Sequence, residues 1–185
     1  MRLFVASSFE PSFVASLKAA ADYARSAAPK GAVKWVEPEN FHLTYAFLGD
    51  LGPAAAEAAK KGIADGLAEL KAFTLGMGGF GVFPSARRAR VLWIGIGEGA
   101  APLRELAGRL AEGLTGAGLT FENRFEPHVT LGRVQDSLPE NFMRRVADFA
   151  PARKASSLLA SVELMESVLT PDGPVYKQVY SKRLL

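Results

Sequence analysis

The chain has 185 residues, 49% of them hydrophobic and 22% charged, with 22 Lys and Arg against 19 Asp and Glu for a formal net charge of +3. That is ordinary globular composition at a length fitting one domain, or two small lobes sharing a core, and its mildly basic balance suits an anionic ligand without demanding one. Cysteine is absent, which excludes a disulfide framework, a thiolate nucleophile and a Cys-ligated zinc, and no apolar run approaches the roughly 18 residues of a membrane span.

The opening RLFVASSF is rich in strand formers and lacks the long apolar core and cleavage site of a signal peptide, so a soluble, cytoplasmic protein is expected. Glu10 and Pro11 fit the first turn of a helix, which Phe13, Leu17, Ala20 and Ala24 continue at helical spacing until Pro29 and Gly31 end it. A short strand around AVKWV precedes a strand carrying His42 in NFHLTYAFLGD, closed by Gly49, Asp50 and Gly52. A second helix, about 53 to 70, buries Ile63, Leu67 and Leu70. The strands AFTLGMGGFGVF and ARVLWIGIG follow, joined by the turn-like PSARR.

A third helix, about 101 to 115, puts Leu103, Leu106, Leu110 and Leu114 on one face, and FEPHVTLGRV with His128 comes soon after. A fourth, near 138 to 149, holds Leu138, Phe142, Val146 and Phe149 in register and leads to the strands ASVELMESVL and VYKQVYSKRL around the turn TPDGP. Strands outnumber what parallel crossovers need, which favours an α+β architecture with antiparallel sheets.

Both histidines of the chain occur as His-x-Thr, in HLTY at 42–45 and HVTL at 128–131, each a similar distance after a helix. Threonine is scarce, so coincidence is a poor explanation of both pairs, and a diverged internal duplication that brings two equivalent strands to a shared cleft is the better one. A core histidine satisfied by its neighbouring threonine is the bland alternative for one instance, and repetition weakens it. In a strand, His42 and Thr44 project to one face and Leu43 and Tyr45 to the other; His128 and Thr130 do likewise against Val129 and Leu131.

Two imidazoles and two hydroxyls in one cleft suit phosphodiester cleavage. One His takes a proton from the attacking water, the other, protonated, gives one to the leaving oxygen, and the hydroxyls hold the non-bridging oxygens. Zinc needs three or four ligands, and no His-Glu-x-x-His spacing supplies them; no Gly-x-Ser-x-Gly elbow marks a serine hydrolase. No metal and no cofactor are therefore expected.

KWVEPENFHLTYAFLGD and EPHVTLGRV resemble the two signature motifs of the 2H phosphoesterases, specifically the bacterial and archaeal RNA 2′,3′-cyclic phosphodiesterases once named for 2′-5′ RNA ligase activity. RLFVA, GVFPSARRARVLWIGI and VELMESVLTPDGPVYKQV are similar to family segments in family order, so the resemblance spans nearly the whole chain. It implies a bilobal fold, residues 1–185 as a single domain, with two antiparallel sheets, outer helices and a central V-shaped cleft. It also implies hydrolysis of a 2′,3′-cyclic phosphate at an RNA end to a 2′-phosphate, with reverse 2′-5′ ligation that needs no ATP. His42 matches the proton donor, His128 the acceptor, Thr44 and Thr130 the phosphate-binding threonines, and Arg133 an arginine that contacts phosphate.

Tyr45 departs from the usual family leucine; pointing away from the cleft, it is expected under a helix with its hydroxyl at the rim. Strand parity aims Arg133 away from His128 unless Gly132 permits a bulge, the alternative being a solvated charge. Arg87, Arg88 and Arg90 either attract RNA or are solvated surface. Trp35, Phe80, Phe83 and Trp93 are candidates for base stacking, with most expected in the core. RNA ends bearing a cyclic phosphate are the expected partner and a monomer the expected state. Small cyclic nucleotides, an ADP-ribose cyclic phosphate or 2′-5′ oligonucleotides remain as alternative substrates, and a non-catalytic nucleotide-binding module as the alternative class.

Overall fold

The computed structural model describes residues 1–149, 155–171 and 173–185. Strands are β1 (Arg2–Ser7), β2 (Val33–Trp35), β3 (Leu43–Asp50), β4 (Phe73–Phe83), β5 (Val91–Ile96), β6 (His128–Val134), β7 (Ser156–Leu159), β8 (Ser161–Thr170) and β9 (Gly173–Arg183). Helices are α1 (Pro11–Ala27), α2 (Pro53–Gly66), α3 (Ala100–Gly116) and α4 (Phe142–Ala147). The chain is α+β, and every recorded strand pairing is antiparallel.

The strand order is β7-β4-β5-β6-β3-β1-β8-β9, with β2 also on β6. The two expected sheets are the halves of this one order, and they meet at β3 and β6 through a single register pair, Leu43 with Val129. The two His-x-Thr segments are thus neighbours along the line where the halves join.

Alternation aims the apolar partners as expected. Leu43, Tyr45, Val129 and Leu131 are buried in one cluster with Phe13 and Leu17 of α1, Ile63 of α2 and Leu103, Leu106 and Leu110 of α3. The helices therefore cover one face of the sheet, and His42, Thr44, His128 and Thr130 lie half-buried on the other. α1 packs with α4 and β7, whereas α2 packs on α3, β8 and β9.

Some boundaries differ from expectation. The second helix ends at Gly66, although Leu67 and Leu70 are still buried beyond it. The fourth is confined to 142–147, and the Phe142 N–H bonds the Pro139 carbonyl three residues back, which closes a tight turn before the helix rather than a further α-helical turn. β7 was not anticipated; its four residues, SSLL, are too few to set a period. Of the expected turn at 170–174, residue 172 lies outside the described residues.

Candidate functional site

Each imidazole is held by the same local device. His42 Nδ1 lies 2.7 Å from the carbonyl of Asn40, and His128 Nδ1 lies 2.6 Å from the carbonyl of Glu126, two residues upstream in both cases. A carbonyl only accepts, so each Nδ1 carries the proton and donates it, leaving Nε2 as the working nitrogen. His128 opens β6, while His42 stands one residue before β3, where the chain leaves a short 3-10 turn at Pro38–Asn40.

With Leu43 opposite Val129, antiparallel pairing sets Thr44 beside His128 and His42 beside Thr130. Both imidazoles and both hydroxyls therefore share one patch of one face. The charge of His128 acts directly on His42.

Aromatic walls complete the parallel. Tyr176 of β9 stands edge-on to His42, ring centres 5.1 Å apart at 83°, with Phe4 of β1 at 5.2 Å. Phe83 of β4 stands edge-on to His128 at 5.1 Å and 87°, with Trp93 of β5 at 6.0 Å. Gly81 is required here, because Trp93 lies over it where any Cβ would collide with the indole.

Burial by these rings pushes both imidazoles below the usual histidine pKa, since desolvation disfavours the cation. For His42 the Asn40 carbonyl opposes this and the His128 charge adds to it. For His128 both the Glu126 carbonyl and the Glu126 carboxylate oppose it, the carboxylate being itself engaged by Arg104 at 3.2 Å.

Arg133 reaches the same face through a bulge. Trp93 pairs with Thr130 but Leu92 pairs with Gly132, so Leu131 is an extra residue in β6. Leu131 and Leu92 are fully buried, and the next pair, Arg133 with Val91, returns to the side of Trp93. Gly132 is needed because Val33 of β2 occupies the space a Cβ would take. The charge of Arg133 is felt by the Tyr176 hydroxyl, which ties the arginine to the wall of His42.

Tyr45 corrects one expectation. It is 7% exposed and stacks on Phe125, but its hydroxyl sits 3.0 Å from Ser7 Oγ inside the protein, not at the rim. Ser7 Oγ gives its proton to the Ser161 carbonyl at 2.6 Å, so the Tyr45 hydroxyl is the donor to it.

Of the four aromatic candidates, Trp35 and Phe80 pack against the core clusters, while Phe83 and Trp93 line the site. Arg87, Arg88 and Arg90 occupy the exposed turn that follows Phe83. Phe4 and Tyr176 were missed, because their strands lie far from either motif in sequence and alternation alone does not say which strand pairs where. A cavity of about 200 Å³ lies between β4 and α4 and touches neither histidine.

A family model described as the 2′-5′ RNA ligase superfamily matches residues 9–167. A protein of Aeropyrum pernix named RNA 2′,3′-cyclic phosphodiesterase is 36% identical over 154 residues, 80% of this chain and 84% of that one. One of the same name from Archaeoglobus fulgidus is 34% identical over 97% of this chain and 98% of its own. The crystal structure of E. coli LigT complexed with 3′-AMP is similar with a TM-score of 0.76 and 25% identity, over 99% of this chain and 97% of that chain.

Proposed function

The chain belongs to the 2′-5′ RNA ligase superfamily and is an RNA 2′,3′-cyclic phosphodiesterase, and from that premise we propose that His42 and His128 carry the reaction as acid and base. Water attacks phosphorus as His128 Nε2 takes its proton. The bond from phosphorus to O3′ breaks, and His42 Nε2–H protonates the leaving O3′, giving a 2′-phosphomonoester and a free 3′-hydroxyl.

The surroundings suit these roles. Desolvation by Phe4 and Tyr176, together with the His128 charge, makes a protonated His42 a stronger acid. The Glu126 carbonyl and carboxylate favour the cation that His128 becomes on taking the water proton. Thr44 and Thr130 donate to the non-bridging oxygens, and Arg133 neutralises the charge that gathers there. A 5′-hydroxyl in the place of water would form a 2′-5′ linkage with the same two proton transfers.

The observation that carries this reading is the repeated tautomer lock, Nδ1 to a carbonyl two residues upstream, beside one shared patch. Its test is hydrolysis of an oligonucleotide ending in a 2′,3′-cyclic phosphate, in EDTA, with the product identified. A 2′-phosphate is expected from the wild type, and His42→Ala and His128→Ala should each slow turnover by at least about 10², the usual scale for one lost acid or base. Turnover abolished by EDTA and restored by Zn²⁺ or Mg²⁺ would refute it.

A further inference from the structure

Lys34 is exposed on β2 and is the register partner of Arg133 on β6. Paired residues project to the same side, so Lys34 stands on the face that carries the two imidazoles. Its neighbours behave accordingly, since Val33 is buried and Trp35 packs toward α1, with Arg25 over its ring. Like charges directly opposite on adjacent strands repel. Among the described residues neither Lys34 nor Arg133 is recorded in an ion pair with a carboxylate.

Two adjacent, uncompensated cations beside a phosphate-cleaving centre are what a second anion relieves. The spacing can be read on β5, where Trp93 faces Thr130 and Val91 faces Arg133. Two residues separate those rows, about 7 Å at strand rise. That is roughly the length of one sugar–phosphate unit.

We propose that Lys34, with Arg133 serving both phosphates, binds the phosphate on the 5′ side of the terminal nucleotide, so that the enzyme selects an RNA end over a cyclic mononucleoside. This rests on the reading of His42 and His128 given above. An unphosphorylated cyclic mononucleoside has a bare 5′-hydroxyl and leaves Lys34 with no anion to hold. Lys34 touches no reacting atom, and its contribution is to substrate choice.

The test compares adenosine 2′,3′-cyclic phosphate with the same compound carrying a 5′-phosphate, using the full chain. The wild type should prefer the 5′-phosphorylated substrate in kcat/KM, and the preference should shrink as salt rises. Lys34→Ala should cut the preference about tenfold, the scale of one lost charge-assisted contact, and Lys34→Arg should restore most of it. A thermal melt of each variant separates a lost contact from a lost fold. The proposal is overturned if the wild type shows no preference, or if Lys34→Ala slows both substrates alike. If the wild type hydrolyses a cyclic-phosphate oligonucleotide but neither mononucleotide, the proposal is overturned and the two-histidine reading stands; if it hydrolyses none of the three, that reading fails as well.

Discussion

Arg133→Ala separates a phosphate contact from a solvated charge. The side chain is exposed, no carboxylate among the described residues is recorded as paired with it, and its backbone carbonyl keeps the hydrogen bond from Gln135 whatever the side chain. Its removal should therefore shift stability by no more than about 0.5 kcal/mol, the range of surface substitutions away from special features. On the reacting phosphate the loss is larger. A hydrogen bond to a charged group is worth about 1.5–3 kcal/mol net, which is about 10- to 150-fold in kcat/KM at 1.4 kcal/mol per decade. Arg133→Lys keeps the charge but loses the planar fork, and should fall between the two. The assay is hydrolysis of a cyclic-phosphate oligonucleotide alongside a urea melt of each variant. A kcat/KM within twofold of wild type would show that the Leu131 bulge does not deliver Arg133 to the phosphate.

Tyr45→Phe should cost about 0.5–1.5 kcal/mol in a denaturant melt, one buried hydrogen bond, because it deletes the donor to Ser7 while Ser7 keeps its bond to Ser161. Turnover should stay near normal, and a large loss of kcat would place that hydroxyl nearer the chemistry than the structure does. Thr44→Ala and Thr130→Ala should each lower kcat by about 10², the scale of one lost oxyanion donor, without changing the shape of the pH profile. A changed profile in either would mean that the hydroxyl alters which groups titrate.

Much of the site was legible because period-2 alternation holds through both four-residue motifs. Leu43, Tyr45, Val129 and Leu131 had to share the buried face, and that alone put His42, Thr44, His128 and Thr130 on the other. Arg133 was undecidable, since its direction turns on the register of β5 against β6, and a Gly at 132 permits a bulge without requiring one. Tyr176 and Phe4 depend on strand order across the whole sheet, with β1 lying between β3 and β8. The Tyr45 hydroxyl was misplaced for a related reason, because its acceptor, Ser7, lies 38 residues away and becomes a neighbour only when β1 pairs with β3. Helix ends were blurred where apolar residues continued past the hydrogen-bonded turns, as Leu67 and Leu70 do after α2.

The two-histidine reaction is tested most directly by the pH dependence of kcat/KM on a cyclic-phosphate oligonucleotide, for the wild type and both single His variants. Burial lowers both pKa values from 6.5, so the neutral forms persist to lower pH than in a free histidine. Protonation of the base shuts activity off on the acid side and deprotonation of the acid shuts it off on the alkaline side. The wild type should therefore give a bell displaced to the acid side of the ordinary histidine range, its limbs belonging to the coupled pair. In His128→Ala the residual rate should lose the acid limb, and in His42→Ala the alkaline limb. A wild-type rate that climbs steadily with pH, or a single variant that keeps both limbs at a near-normal rate, would contradict acid–base catalysis by this pair.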